Sequence, residues 1–137
     1  MAFRTERELE EIAVAFLQQM DFLYCWRVPL HNRVIDLVAL DGKGQLVGVE
    51  FKLRDWKRAL EQAVKNSNSL DYAYVCLPGG SYLDELKSRA ERLGIGVMVY
   101  SEELGTVEIE LSAQKRTQQW KPNIEYIKHY VHARGTK

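Results

Sequence analysis

The sequence lacks the long apolar runs, the signal peptide and the cysteine clusters that are typical of membrane, secreted and zinc-finger proteins. No apolar run approaches the roughly 18 residues that cross a bilayer, so no membrane association is expected. The two cysteines, Cys25 and Cys76, lie singly within apolar stretches, a pattern typical of buried free thiols rather than of a disulfide framework or a zinc site. Acids begin early, at Glu6, and no apolar segment of a signal peptide precedes them. These absences predict a cytoplasmic protein.

The chain also lacks an excess charge, but the two signs are unevenly distributed. The formal net charge of 0 excludes a protein that is positive over its whole surface. Residues 115–137 carry six Lys or Arg and one acid, a sum of +5, so residues 1–114 sum to −5. The length of 137 residues fits one domain, which predicts a single unit over residues 1–137 with a basic C-terminal extension at 115–137.

The basic extension has two interpretations. Trp120, Tyr126 and Tyr130 mix aromatic rings with the cations, as nucleic-acid surfaces do. Ile127 and Val131, at helical spacing, instead predict a helix docked on the core or on a second subunit. Docking is the favoured interpretation.

The hydrophobic pattern predicts an α/β protein whose mixed central sheet is flanked by helices. Capping residues, apolar stripes and Gly or Pro breaks set the limits of the predicted elements. Helices are expected at about 5–20, 55–66, 81–93 and 121–134, and strands at 22–30, 33–41, 45–53, 72–77, 96–100 and 106–111.

Three charged residues interrupt otherwise apolar predicted strands. They are Asp36, Glu50 and Lys52. A charge in the middle of a sheet costs several kcal/mol unless it is paired or bound to a metal. Each of these charged side chains therefore needs a partner, which is either an opposite charge or a metal ion.

The turn between the second and third strands predicts how the charges meet. Asp41 suits the start of a type I turn and Gly44 suits the left-handed residue of a three-residue hairpin loop that pairs Asp41 with Gln45. In that register Asp36 lies across from Glu50, and Val34 lies across from Lys52. All three charged side chains would then point to one side of the sheet.

Two facing carboxylates repel each other unless a cation lies between them. Hard oxygen ligands with open positions suit Mg²⁺ or Mn²⁺, which keep several waters and accept substrate phosphate. A nearby lysine ammonium, here Lys52, can orient a water and stabilise developing charge. The predicted chemistry is phosphodiester hydrolysis; the alternative is a cross-strand salt bridge on a solvated sheet face.

At these residues the chain resembles the PD-(D/E)xK nuclease superfamily. Ile35-Asp36 followed by Glu50-Phe51-Lys52 is similar to the family's D…ExK core, with Ile in the place of the nominal Pro. The resemblance implies the restriction-endonuclease-like fold with its αβββαβ core. It also implies a divalent metal held by Asp36, Glu50 and the Phe51 backbone carbonyl, with Lys52 as the catalytic lysine.

Within that superfamily the chain looks most like the Holliday-junction-resolvase-like and RecB-like branches. There a glutamate of the first helix joins the site, which selects Glu10 with Glu6 as the alternative, and a glutamine follows on the next helix, which selects Gln62. The alternatives are an ordinary acid at a helix start and a glutamine that faces solvent.

The resemblance implies a Mg²⁺-dependent nuclease that acts on DNA in repair or recombination, and a homodimer. Arg54, Lys57 and Arg58 cluster beyond the second acid and are candidates for holding phosphates, or are simply solvated cations at a helix start. The alternative function is a catalytically inactive protein of the same fold that binds nucleic acid or serves as an assembly module.

Overall fold

The structure is a computed structural model that describes residues 6–19, 21–101 and 103–137. Its elements follow the order expected from the sequence. They are α1 (Glu6–Gln19), β1 (Leu23–Leu30), β2 (Arg33–Leu40), β3 (Leu46–Phe51), α2 (Trp56–Ser67), β4 (Tyr72–Pro78), α3 (Leu83–Leu93), β5 (Gly96–Ser101), β6 (Thr106–Leu111) and α4 (Lys121–Arg134). The start of the first predicted helix, at about residue 5, lies outside the described residues.

The six strands form one mixed sheet in which spatial order equals chain order. β1, β2 and β3 are antiparallel neighbours, β3, β4 and β5 run parallel, and β6 returns antiparallel to β5. Parallel neighbours need a crossover, and α2 and α3 supply the two crossovers. The prediction of an α/β fold with a mixed sheet flanked by helices is confirmed, and the order α1 to β4 is αβββαβ.

The two faces of the sheet carry separate apolar cores. On the face that we call the α2 face, helices α2, α3 and α4 bury side chains such as Leu60, Leu86 and Ile127 against the strands. On the opposite face, the α1 face, Leu9 and Ala13 of α1 pack on strand residues that include Phe51. Side chains of one strand alternate between these faces, which decides where each charged residue of the hairpin points.

The β2–β3 hairpin has the predicted loop. The Asp41 N–H donates to the Gln45 carbonyl at 3.0 Å, and the Gly44 N–H donates to the Asp41 carbonyl at 3.0 Å. Gly44 has a φ of +79°, a left-handed conformation that favours glycine. The paired residues run from Leu40↔Leu46 to Leu37↔Val49, the expected register.

The ladder between β2 and β3 is shorter than predicted. It ends at Leu37↔Val49, so the expected strand pairs of Asp36 with Glu50 and of Val34 with Lys52 are both wrong. Val34 pairs with Pro29 of β1 instead, and the Lys52 N–H donates to the Cys76 carbonyl of β4 at 3.2 Å. The strands β2 and β3 therefore separate at the two acids.

The C-terminal helix docks on the sheet, as favoured from its apolar spacing. Ile124, Ile127 and Val131 are buried in the α2-face core. Beyond the helix, Thr136 pairs with Tyr24 through two backbone hydrogen bonds of 2.8 and 2.9 Å, which covers part of the edge strand β1. Within the described part of the chain, no helix is both long and apolar enough to cross a membrane.

Candidate metal centre

The side-chain alternation of strands β1 and β2 shifts from one face of the sheet to the other at one point, and Asp36 lies at that point. Trp26 and Leu37 belong to the α1-face core, whereas their paired neighbours two residues away, Val28 and Ile35, belong to the α2-face core. A regular strand would keep residues two apart on one face. Arg27, between these pairs on β1, has a φ of +52°, which is rare for a residue with a side chain. Asp36 lies between the same pairs on β2.

The carboxyl groups of Asp36 and Glu50 hold the separating strands together. The Asp36 N–H donates to Glu50 Oε2 at 2.8 Å, and the Phe51 N–H donates to Asp36 Oδ2 at 3.0 Å. An unbroken ladder would offer backbone carbonyl oxygens to such donors. Each carboxyl is thus anchored by a backbone N–H, and the two acids are in direct contact at the end of the hairpin ladder.

Glu50 is in an environment that opposes its negative charge. Its side chain is only 3% exposed, although it is an acid within a sheet. Burial, together with the charge of Asp36, raises the pKa of Glu50 to about 8; the Asp36 N–H and the Lys52 ammonium act in the opposite direction. A hydrogen bond between the two carboxyl groups also favours the protonated form of Glu50. At neutral pH and without a metal, the protonated form of Glu50 is therefore favoured.

Alternation along β3 places Glu50 on the α2 face, because Val49 and Phe51 are in the α1-face core. Lys52 follows the last residue of the strand, and its charge acts on the Glu50 carboxyl. Two acids and an amine therefore influence one another here, even though the strand pairing that was expected to align Lys52 does not extend to it.

Glu10 does not come together with these two acids. Its side chain accepts two hydrogen bonds from Arg27 Nη2, at 3.0 and 3.1 Å, and α1 covers the other face of the sheet from Glu50. Among the described residues no group of three or more His, Cys, Asp or Glu side chains is placed to hold a metal. The side chain of Glu6, the alternative choice, lies outside the described residues.

The remaining predicted residues lie around the start of α2. Gln62 is half-buried on α2, and no hydrogen bond joins its side chain to Asp36 or Glu50 among the described residues. Arg54, Lys57 and Arg58 are exposed. Asp55 caps α2 by accepting the Arg58 N–H at 3.2 Å. The catalytic role of Gln62 and the binding of phosphates by Arg54, Lys57 and Arg58 stay predictions.

Arg27 is the residue that sequence reasoning missed. A signal was present, since Arg27 interrupts the apolar strand β1 in the same way that Asp36 interrupts β2. Its left-handed backbone conformation had no such signal, because glycine is the residue that ordinarily marks this conformation. Arg27 connects Glu10 of α1 to the point at which the strands exchange faces.

No family model and no curated protein matches the sequence. Solved structures share the fold. A protein of unknown function from Silicibacter pomeroyi matches 90% of this chain and 82% of its own, with a TM-score of 0.64 and 18% identity. A repair endonuclease from Pyrococcus abyssi matches 71% of this chain, with a TM-score of 0.56 and 18% identity, and this chain spans 47% of its length.

SfsA from Pyrococcus furiosus, solved with Ca²⁺, matches 75% of this chain and 59% of its own, with a TM-score of 0.41 and 17% identity. The matches to the Silicibacter protein and to the repair endonuclease, at 18% identity, establish similarity of fold alone. The chain therefore has a mixed α/β fold that is similar to that of a repair endonuclease, which is consistent with the restriction-endonuclease-like fold expected from the sequence.

Proposed function

We propose that this protein is a metal-dependent nuclease of the PD-(D/E)xK superfamily that hydrolyses phosphodiester bonds of DNA. The single observation that carries the proposal is the contact between Asp36 and Glu50, two acids on adjacent strands whose carboxyls are each anchored by a backbone N–H. Two acids in contact without a cation repel each other, and a divalent ion would relieve that repulsion.

The residues present suit Mg²⁺ or Mn²⁺. The ligands would be the Asp36 carboxylate, the Glu50 carboxylate and the Phe51 carbonyl oxygen, all of them the hard oxygen donors that these ions prefer. Few protein ligands are needed, because Mg²⁺ keeps several waters and binds substrate phosphate. When bound, the ion supplies the positive charge that neutralises the scissile phosphate and lowers the pKa of an attacking water.

The protein side chains set up this chemistry. Glu50 would be a ligand beside Asp36 in its ionised form, so binding of a cation would be accompanied by loss of the Glu50 proton. The backbone N–H groups of Asp36 and Phe51 fix the orientation of the two carboxyls. Lys52 offers an ammonium that orients the attacking water and offsets the charge that develops on the phosphate.

DNA is proposed as the substrate on two grounds. The likeness to a repair endonuclease is one of them. The other is the exposed cluster of Arg54, Lys57 and Arg58 beyond Lys52, which is suited to the phosphates on either side of the cleaved bond. Catalytic roles for Glu10 and Gln62, and a homodimer, stay predictions.

The experiment that tests the function is a substrate panel. Branched, single-stranded and duplex DNAs are incubated with the purified chain in Mg²⁺, in Mn²⁺ and in EDTA, and the products are resolved on denaturing gels. We expect cleavage of at least one DNA in either metal and none in EDTA. Cleavage that persists in EDTA, or no cleavage of any DNA in either metal, would reject the proposed activity.

One observation favours the alternative of an inactive module. Glu10, the expected third acid, is held by Arg27 on the other face of the sheet. A protein that kept the fold and lost activity would bind DNA without cutting it in the panel. It would also gain no DNA affinity on addition of a divalent ion.

A further inference from the structure

We infer that a cationic track across α2, α3 and the segment 114–118 binds the phosphates of the DNA that flanks the cleaved bond; the inference rests on the proposed nuclease function. The track is formed by two grooves that meet. One groove, of about 350 Å³, lies between α2 and the end of α3. The other, of about 320 Å³, lies between the end of α3 and the segment 114–118.

The two grooves adjoin each other, because Arg92 and Leu93 line both of them. Their combined lining has five cationic side chains against one acid, Glu61. The cations are Lys57, Arg89, Arg92, Lys115 and Arg116. A protein with no net charge thus collects positive charge along one surface, which is the footprint expected of a polyanion-binding site.

The cations differ in how far they are already engaged. Arg89 pairs with Glu85 at 2.9 Å, and Arg116 Nη1 donates to the Leu93 carbonyl at 3.4 Å. Arg92 and Lys115 are exposed side chains of the track, and the ammonium of Lys57, also exposed, lies 5.6 Å from the Trp56 ring centroid. The track therefore has one exposed cation in each of its three segments, which are Lys57 in α2, Arg92 in α3 and Lys115 in the segment 114–118.

The track begins only a few residues along the chain from the proposed ligands. β3 ends at Phe51 and α2 begins at Trp56, so only residues 52–55 separate the ligands from the first groove. Lys52 and Arg54 lie within that connection. A DNA backbone that places one phosphate at Asp36 and Glu50 can continue past Arg54 onto Lys57 and the α3 cations.

The test compares two triple variants with equal loss of charge. The track variant carries Lys57→Gln, Arg92→Gln and Lys115→Gln. The control carries Arg7→Gln, Lys43→Gln and Lys137→Gln, three exposed residues on α1, in the hairpin loop and at the C-terminus. Binding of fluorescein-labelled DNA is measured by anisotropy in EDTA at several salt concentrations, so that no cleavage occurs.

We expect the track variant to bind DNA at least about tenfold more weakly than the parent. The slope of log affinity against log salt concentration is expected to be shallower by about 2, because each lost phosphate contact means that almost one counterion fewer is released on binding. The control is expected to stay within about twofold of the parent. Equal affinities of track variant and control, whether both are weakened or neither is, would overturn the inference. Tighter binding of a matched RNA than of DNA would overturn the assignment of the track to DNA.

Cleavage assays separate this inference from the proposed function. If the parent protein binds DNA through the track but cuts no DNA in Mg²⁺ or Mn²⁺, the nuclease proposal is rejected and the DNA-binding track is supported. A track variant that cuts limiting DNA as efficiently as the parent does would remove the track and leave the nuclease proposal standing.

Discussion

Replacing Glu50 by Gln is expected to lower Mg²⁺-dependent DNA cleavage by at least about 10³-fold, because a lost metal ligand removes several kcal/mol of transition-state stabilisation. Gln has the shape of Glu and keeps an oxygen that can accept the Asp36 N–H. It lacks the negative charge that draws a cation to Asp36. The measurement is single-turnover cleavage of the best substrate of the panel, with circular dichroism and thermal unfolding to verify the fold.

The matched control is Glu110→Gln. Glu110 is an exposed acid at the edge strand β6, so its loss changes the net charge equally without reaching the site. We expect it to cleave at the parent rate. A Glu50→Gln protein that is folded and cleaves as fast as Glu110→Gln would contradict the assignment of Glu50 as a ligand.

The second large effect is on stability as a function of pH. In EDTA, the free energy of unfolding contributed by Glu50 is expected to fall as the pH rises from about 4.5 to about 8. The pKa of Glu50 is raised in the folded state, to about 8 from an ordinary value of 4.5, by burial and by the charge of Asp36. A shift of this size corresponds to roughly 5 kcal/mol between the two protonation states.

The sign follows from proton binding. Between the two pKa values the folded state keeps the Glu50 proton that the unfolded state has released, so raising the pH favours unfolding. Below about 4.5 the stabilisation is fully present, because both states are protonated, and it is lost as the pH passes through the folded-state pKa of about 8.

Urea unfolding at a series of pH values measures this effect, and Glu50→Gln is the reference because it cannot ionise. The parent is expected to lose several kcal/mol relative to Glu50→Gln between pH 5 and pH 8, and saturating Mg²⁺ is expected to return much of the loss at pH 8. Parallel pH profiles of the two proteins in EDTA would mean that Glu50 is not held in a charge-opposing site.

The sequence predicted the elements and the hairpin because their determinants are local. Asp41 and Gly44 define the loop, and loop type sets register in a hairpin. The apolar spacing of Ile127 and Val131 likewise predicted that α4 docks on the core, where both are fully buried.

The details that the sequence did not predict depend on neighbours that are remote in the chain. The early end of the β2–β3 ladder follows from the exchange of faces at Arg27 and Asp36, and Arg27 belongs to a third strand. The placement of Glu10 follows from its contact with the same Arg27. A pattern read one segment at a time cannot include an ion pair between a helix residue and a strand residue that are 17 positions apart in the chain.

We propose that Asp36 and Glu50 form a divalent-cation site in which the metal replaces the proton of Glu50. Calorimetric titration of the protein with Mn²⁺, in two buffers of different ionisation enthalpy, measures binding and proton release together. We predict that Mn²⁺ binds, that proton release accompanies binding at pH 7, and that both Asp36→Asn and Glu50→Gln remove the binding. Mn²⁺ binding that is unchanged in both variants, or no binding to the parent protein at pH 8, would contradict the account.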